Sequence, residues 1–257
     1  YGLMIFFGFP FSNPITQIAD AIVTSSIDND SINYAYGLHI MNNSWGFSEL
    51  FSAWLTDTNI TLITEAVHFA NRQKVTFVAA IGNNALITQT YPAIIDDDWV
   101  LCVGGTGTDG EYIHDGQPFP NGDFSASKGW DIDIAAPADQ SLVRTTYSNG
   151  GYTGFGGTSA AAPHVAGVAG LLMSYLNNPT LSYDNLAPED VEAIIQMSAK
   201  DNNIKTFGPA FTGKDSLSGY GLLDAGAAMQ LLDKEFKRLS HYGTDSFANN
   251  KSISLYS

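Results

Sequence analysis

Gly157-Thr158-Ser159-Ala160-Ala161-Ala162-Pro163-His164-Val165-Ala166-Gly167 is the stretch from which both fold and chemistry are read. A serine stands behind Gly-Thr and opens a run of very small residues that predicts a helix from Ser159 to about Leu176. A hydroxyl at a helix start lies near unpaired backbone N–H groups and the positive end of the helix dipole. That field favours negative charge, which an acyl-transfer nucleophile and its oxyanion both require. The Ala and Gly residues let such a helix pass close to neighbouring backbone. A turn that merely caps a buried Ala-rich helix would account for the same composition, so the stretch has to be weighed with its surroundings.

Moving outward, apolar runs alternate with segments of helical period. Leu3 to Phe7 reads as a strand buried on both faces. Asn13-Pro14 is a helix start, followed by Ile15, Ile18, Ala19, Ile22 and Val23 at helical spacing. A short helical piece is expected over Ile32 to Tyr36, a strand over Leu38 to Met41, and a helix from Ile60 to about Lys74. Val75 to Ala80, Trp99 to Val103 and Asp131 to Ala135 read as further strands, with Thr106 to Gly129 as surface loop or hairpin. Ala187 to Ser198 opens with acids suited to a helix N-terminus, and Gly221 to Leu232 is a last helix. From Asp233 the helical period is lost, so 233–257 reads as a tail or the start of a following segment. Strands that alternate with helices and end in Gly- or Asn-rich turns predict an α/β fold: a mostly parallel sheet with helices on both faces. Ligands of such sheets bind beyond the carboxyl ends of the strands.

The chain has 257 residues, 44% of them apolar, enough for one large α/β domain. Its 26 acids and 11 bases give a net charge of −15, which argues against nucleic acid or an anionic membrane as partner. No apolar stretch approaches a membrane span. The first residue is Tyr1, with no charged leader before the apolar stretch, so the chain reads as a fragment or a processed product. The single cysteine, Cys102, lies in an apolar run and is expected to be a buried thiol.

Two turns that follow strands are candidates for the site. Asn83 stands after Val-Thr-Phe-Val-Ala-Ala, where a side-chain amide can donate into a crevice. With the backbone N–H of Ser159 it would form a two-donor oxyanion hole; a turn asparagine in left-handed geometry is the competing reading. Ser44-Trp45-Gly46 also follows a strand, and Gly46 would let an extended substrate backbone approach. A tight turn with a core tryptophan fits that segment too.

Several short motifs occur together and in order: Asn43-Ser44-Trp45-Gly46, Ala79-Ala80-Ile81-Gly82-Asn83, Tyr91-Pro92, Phe124-Ser125, Ala136-Pro137, the Ser159 run, and Gly219-Tyr220-Gly221-Leu222-Leu223-Asp224-Ala225. Taken together they resemble the subtilisin-like serine peptidases (subtilases), from about Tyr1 to Leu232. The resemblance implies a three-layer α/β/α domain over 1–232, with the family's N-terminal portion preceding Tyr1. It implies that Ser159 is the nucleophile and Asn83 an oxyanion donor. It implies that Ser44, Trp45 and Gly46, with Ala79, Ala80 and Gly82, line the S1 side of the cleft and present backbone to a protein or peptide substrate. It also implies secretion, and chemistry that needs no cofactor. Subtilases often bind structural calcium, but Asp96-Asp97-Asp98 and Asp28-Asn29-Asp30 lack a ligand spacing and read as solvated loops.

One part of the family pattern is absent. A serine nucleophile needs a general base, oriented by a third group. In subtilases these lie in a His-Gly-Thr-His-like helix start and an Asp-Thr/Ser-Gly turn, and neither motif occurs in this sequence. None of the five histidines offers a substitute. His164, five residues after Ser159, points roughly 140° away from it on a helix. His39 is expected on a sheet face, His68 on a helix edge, His114 in a loop and His241 in the tail. The missing base and acid are therefore expected upstream of Tyr1, and these residues alone are expected to hydrolyse peptides poorly. Two other readings stay open: a peptide-binding pseudoprotease, and an α/β-hydrolase using Ser159, Asp201 or Asp224, and His241. The second lacks its G-x-S-x-G elbow, because Ala161 replaces the final Gly.

Overall fold

The computed structural model describes residues 14–27, 38–47, 56–84, 90–95, 100–107, 110, 126–176, 186–201 and 213–242. The expected strand Leu3–Phe7, the helical piece Ile32–Tyr36, the turn Phe124-Ser125, His114 and both acidic clusters lie outside these residues.

Helix α1 spans Pro14–Ser26 and is followed by strand β1, Ile40–Asn43. Helix α2, Asp57–Arg72, starts at Thr56, whose side chain accepts the Asn59 N–H at 3.3 Å. Strands β2 (Thr76–Ala80), β3 (Leu101–Thr106) and β4 (Ile134–Pro137) follow. All pair in parallel in the order β1-β2-β3-β4. A hairpin of β5 (Arg144–Thr146) and β6 (Tyr152–Gly154) then leads to helix α3, Thr158–Leu176. Helices α4 (Pro188–Met197) and α5 (Ala225–Tyr242) complete the described elements.

The side-chain period of the strands builds two cores. Phe77 and Ala79 of β2 and Cys102 of β3 face Ile15, Ile18 and Ile22 of α1 and Ile63 and Val67 of α2. Val78 and Ala80, with Leu101 and Val103, face Ala161, Val165, Ala169 and Leu172 of α3 and Ile194 and Ile195 of α4. Strands buried on both faces read as unbroken apolar runs, which is why β2 and β3 carry no polar alternation. The result is the expected parallel sheet with helices on both faces. Cys102 is the buried strand thiol that its context predicted.

Several boundaries differ from the sequence reading. His39 is exposed just before β1 rather than packed on a sheet face within it. The β5–β6 hairpin was not expected. Gly219 to Leu223 is not yet helix: it lies beside β4, where Ala135 N–H donates to Gly221 at 2.9 Å and Leu223 N–H to Ala135 at 2.8 Å. Asp224 caps α5 by accepting the Ala227 N–H at 2.8 Å. That helix then continues past Leu232 to Tyr242, into the expected tail. Asp133, inside an expected strand, is a buried carboxylate. It accepts the Cys102 N–H at 2.9 Å, Gln196 Nε2 at 3.2 Å and Lys214 Nζ at 3.4 Å. A buried charge is tolerated only with such partners, and here they tie β3, β4, α4 and the 213–221 segment together.

Candidate active site

The carboxyl ends of β1 and β2 and the amino end of α3 meet at one edge of the sheet. Two glycines set the geometry there. Gly82 follows β2 with φ +108° and Gly157 precedes α3 with φ +90°, both in the region that side-chain-bearing residues rarely adopt. Gly157 provides no side chain to cap α3, and the cap comes from another element. Asn83 Oδ1 accepts the Thr158 N–H at 3.0 Å and the Thr158 hydroxyl at 2.8 Å. Thr158 Oγ1 in turn accepts the Gly82 N–H at 3.2 Å. Thr158 is fully buried and acts as the hub that joins the strand end to the helix start.

This network decides which way the Asn83 amide faces. Its oxygen is held by two donors, so its nitrogen is left as a donor. Among the described residues neither Asn83 Nδ2 nor the Ser159 N–H has an acceptor, and Asn83 Nδ2 is not among the buried unpartnered atoms. The site thus carries two unused donors beside the start of a 19-residue helix. The helix dipole adds to their field.

Ser159 is partly exposed, and its hydroxyl donates to the Ser44 carbonyl at 3.2 Å. Ser44 Oγ donates to the Ser159 carbonyl at 2.9 Å and accepts Asn42 Nδ2 at 3.1 Å. The Ser44–Gly46 turn is anchored behind by Phe47, which exchanges backbone hydrogen bonds with Tyr91 at 2.8 and 2.9 Å. A Cβ on Gly46 would meet Thr90 Cγ2 at 2.4 Å, so packing against Thr90 already requires this glycine. Asn84 N–H donates to Ser127 Oγ at 3.1 Å, and Ser127 N–H to the Gly82 carbonyl at 2.9 Å, bracing the loop that carries Asn83.

Of the residues expected at the site, Ser159, Asn83, Ser44 and Gly82 come together. Trp45 does not turn its ring to them: it is half-buried and meets Phe47 edge-on at 5.8 Å. Ala79 and Ala80 are buried, with side chains in opposite cores and backbones in the sheet. Two contributors were not singled out from the sequence, Thr158 as hub and Ser127 as brace. The Gly-Thr-Ser spacing held a signal for the first; nothing in the sequence marked the second.

None of His39, His68 and His164 serves Ser159. His164 donates from Nδ1 to the Ala160 carbonyl at 2.7 Å, one turn back on its own helix. The carbonyl can only accept, so the proton sits on Nδ1. His39 lies at the amino end of β1, the far end of the strand, and His68 lies on α2. The acids of the α/β-hydrolase reading are engaged elsewhere: Asp224 caps α5, and Asp201 accepts the Gly213 N–H at 2.8 Å. Among the described residues no group of three or more His, Cys, Asp or Glu is arranged to hold a metal. Nor is any described helix long and apolar enough to cross a membrane.

A partly exposed serine at a helix start, with two donors beside it that have no acceptor among the described residues, thus stands at the carboxyl end of a helix-flanked parallel sheet. Comparison with known proteins gives the family. The model of the subtilase family matches residues 14–221, and the chain belongs to that family. It is similar to subtilisin of Bacillus sp. (strain TA39), 30% identical over 169 residues that cover 63% of this chain and 38% of that protein. Subtilisin DY of Bacillus licheniformis is 32% identical over 150 residues, 57% of this chain and 46% of that protein. The chain therefore spans less than half the length of these relatives. Among solved structures, the prenylagaramide maturation protease PagA aligns with a TM-score of 0.63 at 26% identity, covering 85% of this chain and 68% of that one. Sphericase aligns with a TM-score of 0.59 at 27% identity, covering 81% and 63%.

Proposed function

We propose that this chain carries the nucleophile and the oxyanion-binding half of a serine endopeptidase. Ser159 Oγ attacks the scissile carbonyl of a protein or peptide. Asn83 Nδ2 and the Ser159 N–H hold the oxygen as it becomes negative. Collapse of the tetrahedral intermediate expels the amine and leaves an acyl-enzyme on Ser159, which water then hydrolyses. The substrate backbone lies along Ser44–Gly46 and Gly82; any part played by Ala79 and Ala80 falls to their backbone. No cofactor enters the reaction, and the subtilisin relatives make secretion the expected location. The observation that carries this reading is the clamped Asn83 amide, whose oxygen is committed to Thr158 and whose nitrogen is not.

The proton acceptor for Ser159 and the carboxylate that orients it come, in this reading, from polypeptide outside these 257 residues. Casein hydrolysis by residues 1–257 alone, and by the longest natural polypeptide that contains them, tests this. Turnover is expected only from the longer form and is lost with Ser159→Ala. Robust Ser159-dependent turnover by residues 1–257 alone would place the base inside the chain. Peptide binding without turnover in either form would favour the second reading, a non-catalytic peptide-binding domain. The specific observation behind that second reading is that Ser159 donates to a carbonyl and, among the described residues, to no base.

A further inference from the structure

The carbonyl of Ser159 lacks the donor that an α-helix normally gives it. In α3 that donor would be the N–H of residue 163, four positions on, and residue 163 is proline. Proline has no N–H, and its ring crowds the carbonyl four residues back. The place is taken by Ser44, whose hydroxyl donates to the Ser159 carbonyl at 2.9 Å across 115 residues of sequence. The polarity of this bond is fixed from behind. Asn42 Nδ2 donates to Ser44 Oγ at 3.1 Å, which leaves the Ser44 proton for Ser159. The two serines clasp each other, because the Ser159 hydroxyl donates to the Ser44 carbonyl at 3.2 Å.

We propose that Ser44 is a positioning residue: its hydroxyl replaces the helical hydrogen bond that Pro163 removes, and so fixes the main chain of Ser159. The first turn of α3 is then held from two sides. Asn83 grips it at the Thr158 N–H, and Ser44 grips it at the Ser159 carbonyl. Between these grips lies the Ser159 N–H, one of the two unused donors. The consequence for catalysis rests on Ser159 being the nucleophile, whereas the replacement of one donor by another does not. Asn42 acts one step further back, by orienting the Ser44 hydroxyl.

A double-mutant cycle on Ser44→Ala and Pro163→Ala tests the proposal. Pro163 is exposed, so alanine there disturbs no core and returns the N–H to the helix. In the Pro163 background, Ser44→Ala is expected to lower Tm by about 2–4 °C. Amide exchange over residues 158–162 is expected to accelerate as well. In the Pro163→Ala background the same change is expected to cost less than half as much, because the Ser159 carbonyl has its helical donor again. Ser44→Thr, which keeps the hydroxyl, is expected to keep the wild-type Tm and the wild-type amide exchange over residues 158–162. Equal Tm losses from Ser44→Ala in both backgrounds would overturn the proposal, as would Ser44→Thr behaving like Ser44→Ala. In a polypeptide competent for hydrolysis, Ser44→Ala is expected to lower kcat about tenfold and leave KM within about twofold, since a small misplacement of a reacting group costs rate rather than binding. A loss in KM alone would contradict a positioning role. If the wild type shows no Ser159-dependent turnover, the peptidase reading fails, while the Tm cycle still decides the role of Ser44.

Discussion

Ser159→Ala is expected to lower kcat for peptide hydrolysis by about a millionfold in a hydrolysis-competent polypeptide, a figure carried over from subtilisin itself, where loss of the nucleophile has that effect. The expectation follows from where the hydroxyl lies. It is partly exposed at a helix start beside two unused donors, and among the described residues its one hydrogen bond goes to the Ser44 carbonyl. Removing it leaves the fold intact, since the Ser44 hydroxyl still reaches the Ser159 carbonyl. Steady-state kinetics with matched Tm values measure the effect. Retention of more than about one per cent of wild-type kcat would mean that another group attacks the substrate.

Asn83 allows its two duties to be separated. The amide oxygen caps α3, and the amide nitrogen is the proposed oxyanion donor. Asn83→Asp keeps an oxygen for Thr158 and adds a negative charge at a helix N-terminus, where it is tolerated. Stability is therefore expected to change by less than about 1 kcal/mol. The donor, however, is gone, and a carboxylate beside the developing oxyanion opposes it. The expected loss in kcat is at least about 10²–10³, again the value known for the corresponding donor in subtilisin. Asn83→Ala removes both duties, so it is expected to lose similar activity and in addition about 1–2 kcal/mol of stability. Kinetics and urea denaturation on the pair check this. An Asn83→Asp variant as active as wild type would remove Asn83 from the oxyanion hole and leave it as a helix cap.

What the sequence disclosed follows from which interactions are local. Periodicity marks α1 and α2 because Ile15, Ile18, Ile22, Ile63 and Val67 all face one core. Runs such as Thr76 to Ala80 mark strands because both faces are covered. The convergence of Ser159, Asn83 and Ser44 was legible because each follows a strand or opens a helix at the same end of the sheet. The β5–β6 hairpin was not, because Arg144-Thr145-Thr146 and Tyr152-Thr153-Gly154 are short and largely exposed, with no apolar alternation. The extension of α5 was hidden by reading polarity as an ending, although Lys234, Glu235, Lys237 and Arg238 are good helix formers. The hub role of Thr158 and the tie made by Asp133 join residues 75 and 31 positions apart, and no local pattern records such pairings. Ala79 and Ala80 send their side chains into opposite cores because the pleat alternates them, and the Trp45 ring packs beside Phe47, so only backbone of these three residues was to be expected at the cleft.

The account stands on Ser159 and Asn83 acting on one oxygen. A crystal structure with a peptide boronic acid reads this directly, because boron adds to an attacking hydroxyl and presents an oxygen where the oxyanion forms. The account predicts a bond from Ser159 Oγ to boron, with one boronate oxygen about 2.7–3.1 Å from both Asn83 Nδ2 and the Ser159 N–H. Boron bonded to any other residue, or bonded to Ser159 with Asn83 Nδ2 out of hydrogen-bond reach of that oxygen, would contradict it.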